Sequence, residues 1–261
     1  MFGNRGRSIM IYLKSRAEIE TMRRANIIVA EVLEALKETV RPGMTTLELD
    51  ELAERLAHEK GARPAFKGYA VAGRVFRHSL CTSVNEEIVH GVPSKRVLKE
   101  GDILGMDFGV EYEGFYGDSA VTVGLGQVSP EAERLMRVTE TALSEGIELL
   151  REGNRLGDLG STIQGIAERS GYSVVREFVG HGIGKKLHEE PPVPNYGDPG
   201  KGHRLRAGMV VAVEPMVNAG KKEIAILDDG WTAVTRDRSL AAHFEHSIAV
   251  TADGPYVLSR L

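Results

Sequence analysis

The chain has 261 residues, with 33 basic and 37 acidic side chains and a formal net charge of −4. That balance gives no electrostatic case for a specific nucleic-acid partner, and the single cysteine, Cys81, excludes a disulfide frame and a thiolate metal cluster. No apolar run approaches the roughly 20 residues of a membrane helix, and the start lacks the hydrophobic core of an export signal, so a cytoplasmic protein without membrane contact is expected.

Residues 1–9 are basic, glycine-containing and aperiodic, and are expected to form a flexible arm; either Met1 or Met10 can begin translation. From 10 to 261 one domain is expected, made of two similar halves of about 10–125 and 126–261. In 17–38 the residues Ile19, Met22, Ala25, Ile28, Val29, Val32, Leu33 and Leu36 recur three or four apart, which predicts a helix ended by the Arg41-Pro42-Gly43 turn. Thr45 or Thr46 caps a second helix to about Lys60, with Glu48 in its first turn. Ser129 and Pro130 open a third through about Leu150, and a fourth runs from about Leu156 to Ser170. Strand-like stretches occupy 79–84, 103–110, 115–123, 173–179, 209–217, 223–227, 232–236 and 243–250. Segment 186–208, rich in Pro and Gly, reads as a long loop.

The two halves resemble each other. LKEGDILGMD (98–107) aligns without gaps on LRAGMVVAVE (205–214), which superposes Asp107 on Glu214, and DSAVTV from Asp118 matches EHSIAV from Glu245. Residues 41–61 align on 151–171 with Gly43 on Gly153 and Gly61 on Gly171.

Asp107, Asp118, Glu214 and Glu245 all fall inside apolar strand-like runs, where an ionised carboxylate is prohibitive unless something positive meets it. A pair of divalent cations is the expected partner. If 103–110 and 115–123 pair around Tyr112 and Glu113, Asp107 stands directly opposite Asp118, with Cβ atoms ~4.5–5.5 Å apart on one face. His181, in GHGIG (180–184), supplies one nitrogen; taken alone it reads as a structural histidine. One histidine with four carboxylates suits Mn, Fe, Co or Zn, and two such ions sharing a water imply hydrolysis. Glu214 is placed to take the proton of that water. His90 and His188 sit beside turn-forming residues and are candidates for steadying substrate charge, although on spacing alone a neutral surface role is simpler. His58, His78, His203, His243 and His246 read as structural, and strand alternation turns His243 and His246 away from the face of Glu245.

With VNEEIVHGVP, GMDFG, GDSA, GHGIG, HEEP, VEPM and DRSLAAHFEHSIAVT in this order, residues 10–256 resemble the methionine aminopeptidases of the short bacterial class. The resemblance implies a duplicated α/β "pita-bread" fold, a curved and largely antiparallel sheet covered by two pairs of helices about a pseudo-twofold axis. It implies removal of the initiator methionine from nascent polypeptides, with a small second residue preferred, by a monomer that meets the ribosome transiently. By the same resemblance Asp107 is a terminal ligand of one metal, Asp118 and Glu245 are bridges, and His181 and Glu214 complete the other shell. His90 matches a histidine near the substrate amine and scissile amide, and His188 one that binds the substrate carbonyl. Phe66, Tyr69, Phe76, Cys81, Leu187 and Trp231 match the methionine pocket. Residues 68–79 depart from the pattern, being about four residues longer and lacking a histidine. A proline-specific peptidase on the same scaffold would share the five ligands but not the pocket, and a non-catalytic binding protein would be expected to have lost ligands.

Overall fold

A computed structural model describes residues 10–261, so the expected arm at 1–9 lies outside the described residues. Four helices form where the apolar spacing predicts them: α1 (Arg16–Thr39), α2 (Thr46–Glu59), α3 (Pro130–Ile147) and α4 (Leu156–Arg169). Ser15 with Glu18 and Thr45 with Glu48 form reciprocal capping boxes that satisfy the free amides of the first turns of α1 and α2. Ser129 accepts from the Ala132 amide to cap α3, with Pro130 in the first turn. The Cα-to-side-chain stripe of α1, from Ile19 to Leu36, is buried, and it packs with Leu49, Ala53 and Ala57 of α2 against Leu104, Met106 and Phe108. The second helix pair packs in the same way on Val211, Val213 and Ile248.

Every strand pair among the described residues is antiparallel. In the first half, Ile103–Tyr112 is flanked by Leu80–Val84 and Phe115–Gly124. In the second, the order runs Glu189–Val193, Gly180–Gly182, Val210–Val213, His246–Thr251, Gly254–Val257. The two sheets meet where Ala120 and Glu245 exchange backbone hydrogen bonds of 2.9 and 3.3 Å. Ser119 Oγ donates to the Glu245 carbonyl at 2.6 Å and Ser247 Oγ to the Asp118 carbonyl at 2.9 Å, so the matched segments lie side by side.

The duplication extends to single hydrogen bonds. Gly43 N donates to Leu98 O and Gly153 N to Leu205 O; Leu98 N donates to Met44 O and Leu205 N to Asn154 O. Gly43 and Gly153 share a left-handed φ of 94° and 98°, which a side chain would strain.

Four sequence expectations need correction. The hairpin turns on Glu113 and Gly114, both with positive φ, so Asp118 faces Gly109 and Asp107 faces Ala120. Asp107 and Asp118 are therefore diagonal neighbours on one face rather than direct opposites; a two-residue shift keeps the parity of the pleat. The runs 209–217 and 243–250 do not stay single strands. Val210–Val213 and Met216–Asn218 are separated by Glu214-Pro215, and Ala241–His243 and His246–Thr251 by Phe244-Glu245, because Pro215 has no amide for the ladder and the chain changes sheet at both points. The expected loop 186–208 contains the strand Glu189–Val193, whose prolines are tolerated at a sheet edge. Conversely, 173–179 keeps only Ser173–Val174 as strand.

Candidate metal centre and its cavity

Asp107 and Asp118 project from the first sheet, while Glu214 and Glu245 sit at the two strand breaks of the second. His181 is the central residue of Gly180–Gly182, a strand whose glycines are required: a Cβ at 180 would lie 2.3 Å from Ala212 O, and one at 182 would lie 2.3 Å from Glu190 O. The residue opposite Asp118 is glycine for a similar reason. A Cβ at Gly109 would come within 3.1 Å of Asp118 Oδ1 and 3.0 Å of Phe66.

These donors converge. One ligand atom each from Asp118, His181 and Glu245 lies within 4.8 Å of the others, and His181 Nε2 is 3.8 Å from Asp118 Oδ2 and 3.6 Å from Glu214 Oε1. His181 Nδ1 donates to the Gly182 carbonyl at 2.9 Å, which leaves the Nε2 lone pair facing the carboxylates. Burial lowers its pKa to about 3, so the ring is neutral.

The acids are under electrostatic stress. Desolvation raises Asp107 to about 7, and desolvation with the charge of its neighbours raises Asp118, Glu214 and Glu245 well above the carboxylate range. Asp107 Oδ1, Asp118 Oδ1 and Glu245 Oε1 are enclosed and have no hydrogen-bond partner. Orphaned buried oxygens of this kind are rare in folded proteins. Divalent cations fit the donor set, since they would neutralise the charge and occupy the orphaned lone pairs at once.

One cavity of about 530 Å³ holds all five donors together with His90, His188, Phe66, Tyr69, Phe76, Cys81, Leu187 and Trp231. His188 Nδ1 pairs with Tyr69 OH at 2.9 Å, and its ring lies 4.3 Å from that of His181. His90, in a left-handed conformation, meets Phe178 edge-on at 5.1 Å, and burial lowers its pKa to about 4. Phe76 stands edge-on to Trp231 at 5.3 Å. The Cys81 thiol is pushed up by burial and by the nearby Asp107, so it stays neutral in the wall.

Two features were not read from the sequence. Phe178 lines the cavity, three residues before His181 in a stretch taken for plain strand. His243 belongs to the site and not to the background: it is buried, its Nε2 has no partner and lies 3.9 Å from Glu214 Oε2. Strand alternation puts residues two apart on one face, so His243 shares the side of Glu245 and the expectation that it turns away is wrong. His246 does face elsewhere, toward Ser259 Oγ at 2.8 Å.

Residues 20–252 match the sequence pattern of metallopeptidase family M24. The chain is 51% identical over 250 residues to the methionine aminopeptidase of Clostridium perfringens, covering 96% of this chain and 99% of that one. It is 48% identical to methionine aminopeptidase 1 of Bacillus subtilis, covering 97% and 100%. Among solved structures, the methionine aminopeptidase of Thermotoga maritima superposes with a TM-score of 0.94 at 43% identity, covering 97% of this chain and all of that one. A prolidase from Pyrococcus furiosus shares the fold alone, with a TM-score of 0.76 at 21% identity and 65% of its length covered.

Proposed function

Because the chain belongs to metallopeptidase family M24 and, within it, to the methionine aminopeptidases, we propose that its buried carboxylate cluster is a two-metal centre for hydrolysing the bond after an N-terminal methionine. The chain is a metal-dependent peptide hydrolase that removes N-terminal methionine, on the duplicated pita-bread fold. The observation that carries the proposal is the set of enclosed, unpartnered carboxylate oxygens around the free nitrogen of His181.

In this reading Asp107, Asp118, His181, Glu214 and Glu245 would hold the two ions, with Asp118 and Glu245 serving both. When bound, two divalent cations of the Co, Mn, Fe or Zn kind would supply Lewis acidity to the scissile carbonyl and would acidify the attacking water. Glu214 would take the water's proton and pass it to the leaving amine. His188 presents Nε2 to the substrate carbonyl, because Tyr69 holds Nδ1. His90 is neutral and can meet the scissile amide without repelling the cationic N-terminus. Phe66, Tyr69, Phe76, Cys81, Leu187 and Trp231 enclose the methionine side chain, and the confined space beside them favours a small second residue. The proposed setting is the cytoplasm, where one polypeptide domain of 10–261 acts as a monomer on nascent chains with transient ribosome contact. No helix among the described residues is long and apolar enough to cross a membrane.

Anaerobic reconstitution of metal-free protein tests this. Calorimetry should titrate two ions per chain, and the loaded protein should cleave Met-Ala-Ser while leaving Ala-Pro peptides intact. Cleavage of the prolyl bond alone, or absence of metal binding, would overturn it.

A further inference from the structure

The departure at 68–79 is an ordered hairpin at the mouth of the cavity. Strands Ala70–Val71 and Arg74–Val75 pair with Val71 opposite Arg74, and the turn Ala72-Gly73 has φ of 48° and 80°, the mirror-image geometry that matches strand twist. Opposed residues share a face of the pleat. Val71 and Arg74 of that face line the cavity together with Ile226, Gly230 and Trp231. Arg74 Nη1 donates to the Gly230 carbonyl at 3.3 Å, and among the described residues no carboxylate lies within 4.0 Å of its guanidinium. Four of its five N–H groups are left for other acceptors.

The two walls of the mouth are apolar at their rims. Val71 is 50% exposed and Ile226 48%, and both belong to the cavity that holds the carboxylate cluster. Half-exposed apolar side chains that line one binding cavity are an arrangement that a ligand completes. Against desolvation, hydrogen bonds from Thr232 Oγ1 and from the Trp231 and Thr232 amides hold Asp229 below its ordinary pKa, with a smaller contribution from the charge of Arg74. The Asp229 charge offsets that of the guanidinium, so Arg74 acts at the mouth as a hydrogen-bond donor more than as a selector of anions.

We propose that Val71 and Ile226 form a subsite for an apolar side chain at the third residue of a methionyl peptide, with Arg74 donating to the main-chain carbonyl that follows it. The inference rests on the reading of the cavity as a methionine aminopeptidase site. With the methionine enclosed beside the carboxylates and the second residue at the cleaved bond, an extended substrate leaves between these two walls.

The test compares kcat/KM for Met-Ala-amide, Met-Ala-Leu-amide and Met-Ala-Asp-amide on the metal-loaded full chain. The leucyl peptide should exceed the aspartyl one by about fivefold or more, as expected for partial burial of one leucine side chain. Val71→Ser combined with Ile226→Ser should bring that ratio to below about twofold, and Arg74→Met should raise KM more for the tripeptide amides than for Met-Ala-amide. Trp231 is the only tryptophan, so its fluorescence follows peptide binding to metal-free protein without turnover; it should report tighter binding of the leucyl peptide and gives the answer even where a variant loses activity. Equal use of the two tripeptides, a preference for aspartate through Arg74, or a uniform loss on all three substrates would overturn the subsite. Failure of the folded, metal-loaded enzyme to cleave any of the three would instead sink the reading beneath it.

Discussion

A buried carboxylate is informative because its neighbours say whether its charge is welcome. At Asp118 and Glu245 they say it is not: each carboxyl is raised by desolvation and by the other acids, and each has an enclosed oxygen without a partner. In the metal-free protein a neutral amide should therefore be tolerated in these places. Asp118→Asn and Glu245→Gln are expected to leave circular dichroism and the metal-free melting temperature unchanged or slightly higher, while activity falls by at least about 10³-fold, the scale of removing a central catalytic group. Turnover near wild type with metal supplied would contradict the proposed bridging roles. His188→Ala should lower kcat by about 10²-fold with little change in KM, since the charge it meets develops in the transition state; an effect confined to KM, measured by initial rates on Met-Ala-Ser, would refute that role. Reading the four carboxylates needed only the anomaly of charge inside apolar runs, whereas His181 was legible only in their company. His243 was legible and misread: it stands two residues before Glu245, so the period of a strand puts both on one face, and it lies 3.9 Å from Glu214.

The elements bring these side chains together through close contacts that glycines permit. At Gly117, on the strand Phe115–Gly124, a Cβ would lie 2.9 Å from Ala25 C and from Asn26 N, so α1 crosses the strand in contact with its backbone. Asn26 Oδ1 accepts from the amide of Asp118 at 3.2 Å, one residue further on. Gly117→Ala should accordingly push α1 away and destabilise the fold by about 1–3 kcal/mol, the cost of overpacking, read as a lower urea midpoint at unchanged slope. It should also weaken metal binding, because Asp118 moves with its amide. The helices were legible from caps and apolar period, and so was the parity that puts Asp107 and Asp118 on one face. The register was not, since Tyr112-Glu113 and Glu113-Gly114 differ as turn centres only in where the positive φ falls. Strands of two or three residues, such as Ala70–Val71 and Gly180–Gly182, carry too little period to be read at all.

For the molecule as a whole, the cluster links folding, protons and metal. His90, His181 and His243 have pKa values of about 4, 3 and 3, below the ordinary histidine value, so burying them neutral favours the folded state increasingly as pH rises to about 6.5. The acids act in the opposite sense. Asp107, at about 7, and Asp118, Glu214 and Glu245, higher than ordinary carboxylates, bind more protons folded than unfolded, and that contribution is lost as pH climbs through their folded values. Above about pH 7.5 the histidines are neutral in both states, and the groups of the site that still titrate, the raised acids and the Cys81 thiol, hold more protons folded than unfolded. The metal-free melting temperature should therefore fall between about pH 7.5 and 8.5, while the gain on adding Mn or Co should widen over the same range, because each ion displaces protons whose retention costs more energy at high pH. Scanning calorimetry with and without metal checks both slopes, and titration in buffers of different ionisation enthalpy counts the protons released. A metal-free melting temperature independent of pH would mean that the acids ionise freely in the fold, and the demand for cations inferred from their burial would go with it.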